Sequence, residues 1–230
     1  TPGFYNFMNF ADFGLGTWQP KNGFFDLVKG MIKLGKSLGV NYKTNMIVDS
    51  IILKGNVIQG INVNGKFFSC DLIISGADYA HTESLLPKIY RQYSQKYWKN
   101  KIWAPSSLLF YVGFNTKIPK VEHHNLFFDT NFDQHAQDIY DKPKWPSDPL
   151  FYANFTSKTF THTAPNGYEN GFFLIPIATN LKDTNEIRDH YFDIVISRLE
   201  KHIGKKIRKN IIFKVSFCVN DFKNVYNSYG

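Results

Sequence analysis

The chain has 230 residues, 43% hydrophobic and 20% charged, which suits a globular protein of one large or two small domains with a buried core. Its 27 basic residues against 19 acidic ones give a net charge of +8, so a negatively charged neighbour is favoured. Cys70 and Cys218 are too far apart for a redox or zinc spacing, and the longest apolar run, residues 108–114, falls well short of the roughly twenty residues of a membrane span. Disulfide scaffolds, zinc modules and transmembrane helices are thereby set aside, and a reducing, cytoplasmic setting is expected. Aromatic residues make up 17% of the chain. Their abundance alongside Ile, Asn and Lys reads first as codon bias, and second as the lining of an apolar cavity.

In chain order, residues 22–38 place Phe24, Leu27, Val28, Met31, Leu34 and Leu38 at three- and four-residue spacing, a helix that Gly39 stops. The loop before it spaces Gly14, Gly16 and Gly23 around bulky Trp18, Gln19 and Pro20. That spacing matches neither dinucleotide nor mononucleotide phosphate loops, so the loop is read as structural. Short alternating runs over residues 41–69, with tight turns at Gly55-Asn56 and Asn64-Gly65, predict a small antiparallel meander. Residues 71–75 read as a buried return strand. From residue 79 to 101 the pattern is helical, broken at Pro87. Its second half puts Tyr90, Tyr93 and Tyr97 on one helical face, flanked by Arg91, Lys96, Lys99 and Lys101. Such a face suits a core, a membrane interface or nucleic-acid stacking, and the absence of any RNA-binding sheet signature ranks the last lowest.

Strands are expected over residues 105–114 and 125–129, then a helix over 131–140 capped by Asn131 or Asp129, and a proline-rich loop over 142–149. Two further strands flank the turn Pro165-Asn166-Gly167. A second amphipathic helix over 185–203 and a strand over 211–217 follow. His123 and His124, ahead of Asp129, Asp133, His135 and Asp138, invite a metal reading. Adjacent histidines on a strand point to opposite sides, however, so no metal site is expected. Ser106 and Ser107 lack a nucleophile-elbow context. The residues alone describe an α+β or α/β body without a complete catalytic set.

GTWQPKNGFFDLVKGMIKLGKSLGV, NMIVDSI, DLIISGADYAHT, SSLLFYVGFN, VEHHNLFF, TAPNGYENGFFLIPIA and VNDFKNVYNSYG occur in the order in which similar segments occur in phytoene desaturases of the bacterial and fungal type. The chain resembles the central portion of such a flavin-dependent carotenoid desaturase, without the N-terminal dinucleotide motif and the C-terminal flavin segment. The resemblance implies an FAD/NAD(P)-binding, flavin amine oxidase-like fold with a mixed-sheet substrate domain. It assigns residues 1–21 to a substrate-domain strand, 22–86 to the second piece of the FAD domain, 87–218 to the substrate domain, and 219–230 to the return toward the FAD domain.

It further implies an oxidoreductase that uses FAD to remove two hydrogens from a C–C bond next to a polyene. Ile47, Val48, Ala77 and Asp78 fall at cofactor-binding positions. Binding of FAD to the chain alone is expected to be weak or absent, and no catalytic acid or base falls within it. A carotenoid offers few polar handles, so aromatic strand residues are expected to line its channel. Alternation lets about half of them face it, with Phe110, Phe114, Phe128, Phe155 and Phe173 as candidates. The lipid-soluble substrate implies a peripheral membrane protein, with residues 88–101 and 201–214 as headgroup contacts. A carotenoid ketolase, oxygenase or isomerase, or a flavin-free lipid-binding module, are the competing readings.

Overall fold

A computed structural model describes residues 6–229, which fall into two compact units divided between Met46 and Ile47. In the first unit a short helix α1 (Asn6–Phe10) runs into a π-helical turn (Ala11–Leu15), and after a loop comes α2 (Phe25–Ser37). The strand expected within residues 1–21 is absent among those described. An unpaired strand would leave its N–H and C=O groups unsatisfied, and a helix satisfies them internally. Helix α2 forms where the spacing placed it, but Leu27, Met31 and Leu34 are all exposed on it.

The second unit opens with the expected meander, although its first run, residues 41–45, forms no strand: β1 (Val48–Lys54), β2 (Val57–Val63) and β3 (Lys66–Ser69) pair antiparallel through two-residue turns. Gly60 sits in it at φ 153°, where an added Cβ would lie 2.0 Å from the Phe68 carbonyl oxygen; only glycine fits. Residues 71–75 do not form the expected buried strand. Leu72 is 73% and Ile74 89% exposed, and no strand among the described residues pairs with them.

The segment read as one broken helix resolves into α3 (Tyr79–Ser84), a 3₁₀ turn (Lys88–Tyr90) and the five-residue α4 (Gln95–Lys99). Its tyrosines therefore form no helical face. Tyr93 stacks on Tyr97 at 3.9 Å, and both pack on buried Trp98. The buried Glu83 carboxylate accepts from the Gln92 and Tyr93 amides and from Trp98 Nε1. That anchoring of a carboxylate explains why the segment folds inward.

The main sheet has five strands: β4 (Ser106–Phe114), β5 (His124–Phe127), β6 (Phe151–Asn154), β7 (Glu169–Ile177) and β8 (Ile211–Phe217), in the order β5-β6-β7-β4-β8. A mixed sheet was implied, yet every pairing among the described residues is antiparallel. Between β5 and β6 lies α5 (Phe132–Tyr140), capped by Asn131, whose His135 ring bridges the Pro176 carbonyl and the Leu150 amide. Helix α6 (Asn185–Ile203) covers one face of the sheet. Phe192, Val195, Ile196 and Leu199 pack there with Leu108, Phe110, Phe173 and Ile175, and Phe110 and Phe192 meet ring to ring at 5.2 Å. Thr184 caps its start, and Gly204, in the left-handed region, ends it. A last helix, α7 (Val219–Tyr226), follows β8 and lays Phe222 and Tyr226 on Phe217.

Candidate functional site: the uncovered face of the five-stranded sheet

Because successive side chains alternate, the face opposite α6 carries the other parity; α7 packs on it at Phe217, and the stretch around Tyr111, Phe172 and Tyr152 has no helix packed on it among the described residues. The antiparallel registers show which side chains share it. Leu126, Tyr152, Leu174, Leu109 and Phe217 lie opposite one another in one row across all five strands. Beside it runs a second row of His124, Asn154, Phe172, Tyr111 and Val215. Tyr111 is 45% exposed, and Phe172, Tyr152, Leu109 and Leu174 are partly exposed. Tyr111 and Phe172 meet at 5.2 Å and Phe172 and Tyr152 at 6.3 Å, so their rings run on across three strands. Five strands at about 4.8 Å spacing make this face roughly 19 Å wide.

One end of the face is polar. The Asn154 amide oxygen accepts from the Thr156 hydroxyl at 2.7 Å, which turns the amide nitrogen toward the Tyr152 hydroxyl at 2.8 Å. The Tyr152 hydroxyl in turn lies 2.5 Å from His124 Nδ1. His123 precedes the strand, so its ring does not point to the opposite side as expected but stacks on His124 at 4.3 Å. Burial, and then the neighbouring His124, lowers the His123 pKa below the ordinary histidine value. Among the described residues no three His, Cys, Asp or Glu side chains are grouped to hold a metal.

The channel candidates divide differently from the expectation. Phe110, Phe114, Phe155 and Phe173 are completely buried, on the face covered by α6 or packed beside it, so they are core and line no opening. Phe128 is 60% exposed beyond the end of β5. The residues that do face outward are Tyr111, Tyr152 and Phe172, the other parity of the aromatic strand residues, with Leu109, Leu174 and Val215 beside them.

The positions assigned to the cofactor by resemblance lie at edges. Ile47 is exposed, and its carbonyl accepts from the Asn64 amide. Val48 begins β1 opposite Val63. The Ala77 amide donates to Ser75 Oγ, and the Asp78 carboxylate is committed to capping α3 at the His81 amide. A flavin dinucleotide also needs a phosphate cradle. The start of α2 offers none: Asp26 stands there, its pKa held low by a hydrogen bond from Asn22 and then by Lys29, and a carboxylate at a helix start repels a phosphate. The described residues do not fit a flavin by themselves. The Cys218 thiol offers no nucleophile either, since burial pushes its pKa up to about 12.

No protein-family profile matches the chain. Over 229 residues it is 39% identical to a carotenoid 3,4-desaturase from Haloarcula japonica, covering 99% of this chain and 46% of that protein. It is 28% identical over 186 residues to a phytoene desaturase from Cercospora nicotianae, covering 79% of this chain and 30% of that one. The chain is a homologue of the carotenoid desaturases. A 4,4'-diaponeurosporene oxygenase from Staphylococcus aureus is also similar to this desaturase homologue, at 30% identity over 93% of the chain and 44% of the relative. The homologue thus spans under half the length of these curated relatives. Its fold is shared with an oxidoreductase from Methanosarcina mazei, with a TM-score of 0.64 and 14% identity over 94% of this chain and 46% of that structure.

Proposed function

We propose that this chain is the polyene-holding portion of an FAD-dependent carotenoid desaturase, and that the uncovered face of the five-stranded sheet is the wall against which the polyene lies. The observation that carries the reading is the cross-strand pairing of Tyr111 with Phe172 and of Leu109 with Leu174 on a face that α6 leaves open. A conjugated chain has a flat apolar surface, and a sheet face of aromatic and aliphatic rows meets it with few freely rotating groups. The names of the relatives support a carotenoid as the substrate class and desaturation as the reaction. Ile47, Val48, Ala77 and Asp78 are kept as edge positions toward the adenosine side of a flavin whose phosphates are held elsewhere. The chain's own residues then bind the polyene, fix its plane and exclude water from one side of it.

The test is the affinity of the purified chain for a detergent-solubilised carotenoid, followed by quenching of aromatic fluorescence. Phe172→Ala weakens binding by about tenfold or more, the loss expected for an aromatic contact of about 1.5–3 kcal/mol. Unchanged affinity contradicts the assignment of the face.

A further inference from the structure

The polar end of the face carries two imidazoles that polyene binding leaves unused. His123 is held from three sides. Its Nδ1 lies 2.8 Å from the Thr159 hydroxyl, its carbonyl accepts from the Phe155 amide at 2.8 Å, and its ring meets Phe160 edge to face at 5.9 Å. His124 is exposed and stacks on two rings, His123 at 4.3 Å and Tyr152 at 5.9 Å. Its Nδ1 lies 2.5 Å from the Tyr152 hydroxyl and 3.3 Å from Asn154 Nδ2. Tyr152 is the link to the apolar rows, because it sits opposite Leu126 and Leu174 in register and meets Phe172 at 6.3 Å. His123, His124, Tyr152, Phe172 and Tyr111 are thus one run of contacting rings, anchored at its polar end by His123.

Protons act on that run at one place. Two neutral imidazoles stack without charge, whereas two imidazolium ions at 4.3 Å repel each other. Neither ring has a carboxylate within 4 Å among the described residues to offset such a charge. The titratable groups around the pair are Glu122 before it in the chain, Tyr152 on β6, and Lys158 and His162 on the turns after β6. Lys158 is taken up by Glu169, and Phe160, in ring contact with both His123 and His162, stands between those two. Burial, and then His124, already disfavours a charge on His123. With His123 fixed by Thr159, Phe155 and Phe160, His124 is the ring free to leave.

We propose that the two histidines form a proton-operated latch on the polyene site. Neutral and stacked, they hold Tyr152 in the face. With both rings protonated, His124 swings into solvent, and Tyr152 loses the support that keeps its ring in line with Phe172. The inference rests on the polyene-binding reading and adds that the face releases its ligand in acid. His123 and His124 are positioning residues that act through Tyr152.

Carotenoid affinity of the purified chain in detergent, read at about pH 7.5 and about pH 5, tests it on either side of the ordinary histidine value. The parent binds about tenfold more weakly at the lower pH. His123→Gln cannot form a doubly charged pair, so its affinity changes less than about twofold between the two. A purely structural role for His123 would weaken binding equally at both. Circular dichroism of the parent stays native at both values and excludes unfolding as the cause. Ring-proton NMR of the ligand-free chain reads the latch without carotenoid: cross-peaks between the two imidazoles are present at the higher pH and lost at the lower. Equal parent affinity at the two pH values overturns the latch, as does a pH dependence that His123→Gln retains. Imidazole cross-peaks that persist in acid overturn it too. A parent that binds no carotenoid at either pH overturns the polyene reading instead, and the cross-peaks alone then decide whether the pair opens.

Discussion

At the scale of single residues, the two faces of β7 make opposite demands on neighbouring phenylalanines. Phe173 is completely buried against α6, and Phe172 lies on the uncovered face beside Tyr111. Phe173→Ala removes a ring from a close-packed core and costs about 3–5 kcal/mol of stability. Phe172→Ala costs far less, because its cavity opens to solvent. Urea denaturation of the two variants checks this; equal losses would mean that the face is not open. Glu169, at the start of the same strand, is a buried carboxylate paired with Lys117 at 3.4 Å and Lys158 at 3.2 Å and bonded to the Ser157 hydroxyl. Burial alone pushes its pKa up, but the hydrogen bonds and lysine charges together hold it below its ordinary value of 4.5. A pKa depressed by folding contributes stability above the ordinary value and loses it as pH falls through the folded one. Glu169→Gln is therefore less stable than the parent at pH 7, by about 1–3 kcal/mol, and loses less stability on acidification. A variant whose acid limb matches the parent's would contradict the assignment.

At the scale of elements, α6 shows what local sequence can specify. Thr184 ahead of it, the spacing of Tyr191, Val195 and Leu199, and Gly204 behind it gave the helix its observed bounds. The Thr184 hydroxyl accepts from the Ile187 amide, so Thr184→Ala lowers the melting temperature through a loss of about 1 kcal/mol, readable by calorimetry. The strands were legible for the same reason, as were the turns that need left-handed residues at Asn64 and Gly65. Residues 71–75 and 88–101 were not. The first has the composition of a strand, but strands need a partner that propensity does not supply. The second has helical spacing, but Glu83 draws its backbone amides inward. Nor was the face assignment legible from aromatic content, since FFLIPI in β7 is apolar at both parities. A signal did exist: Ser107, Asn154 and Asn170 share the parity of Tyr111, Tyr152 and Phe172, whereas the opposite parity of β6 and the body of β4 and β7 is nearly all apolar.

At the scale of the whole molecule, the order of seven weak segments carried the family, and the 39% identity to a carotenoid 3,4-desaturase bears that out. The cofactor positions were carried by resemblance alone. For two of the four, Ile47 and Val48, the resemblance implies a backbone contact that any apolar residue would supply, so their side chains hold no signal. The five-stranded sheet is organised around one face covered by α6 and one that α7 covers only at Phe217. The central claim, that a polyene lies on the uncovered face, is tested most directly by photolabelling the chain with a carotenoid analogue carrying a terminal diazirine and mapping the modified residues by mass spectrometry. Labels on Leu109, Tyr111, Tyr152, Phe172 or Leu174 are the predicted result. Labels confined to the exposed stripe of α2, or to the aromatic cluster around Trp98, would contradict it.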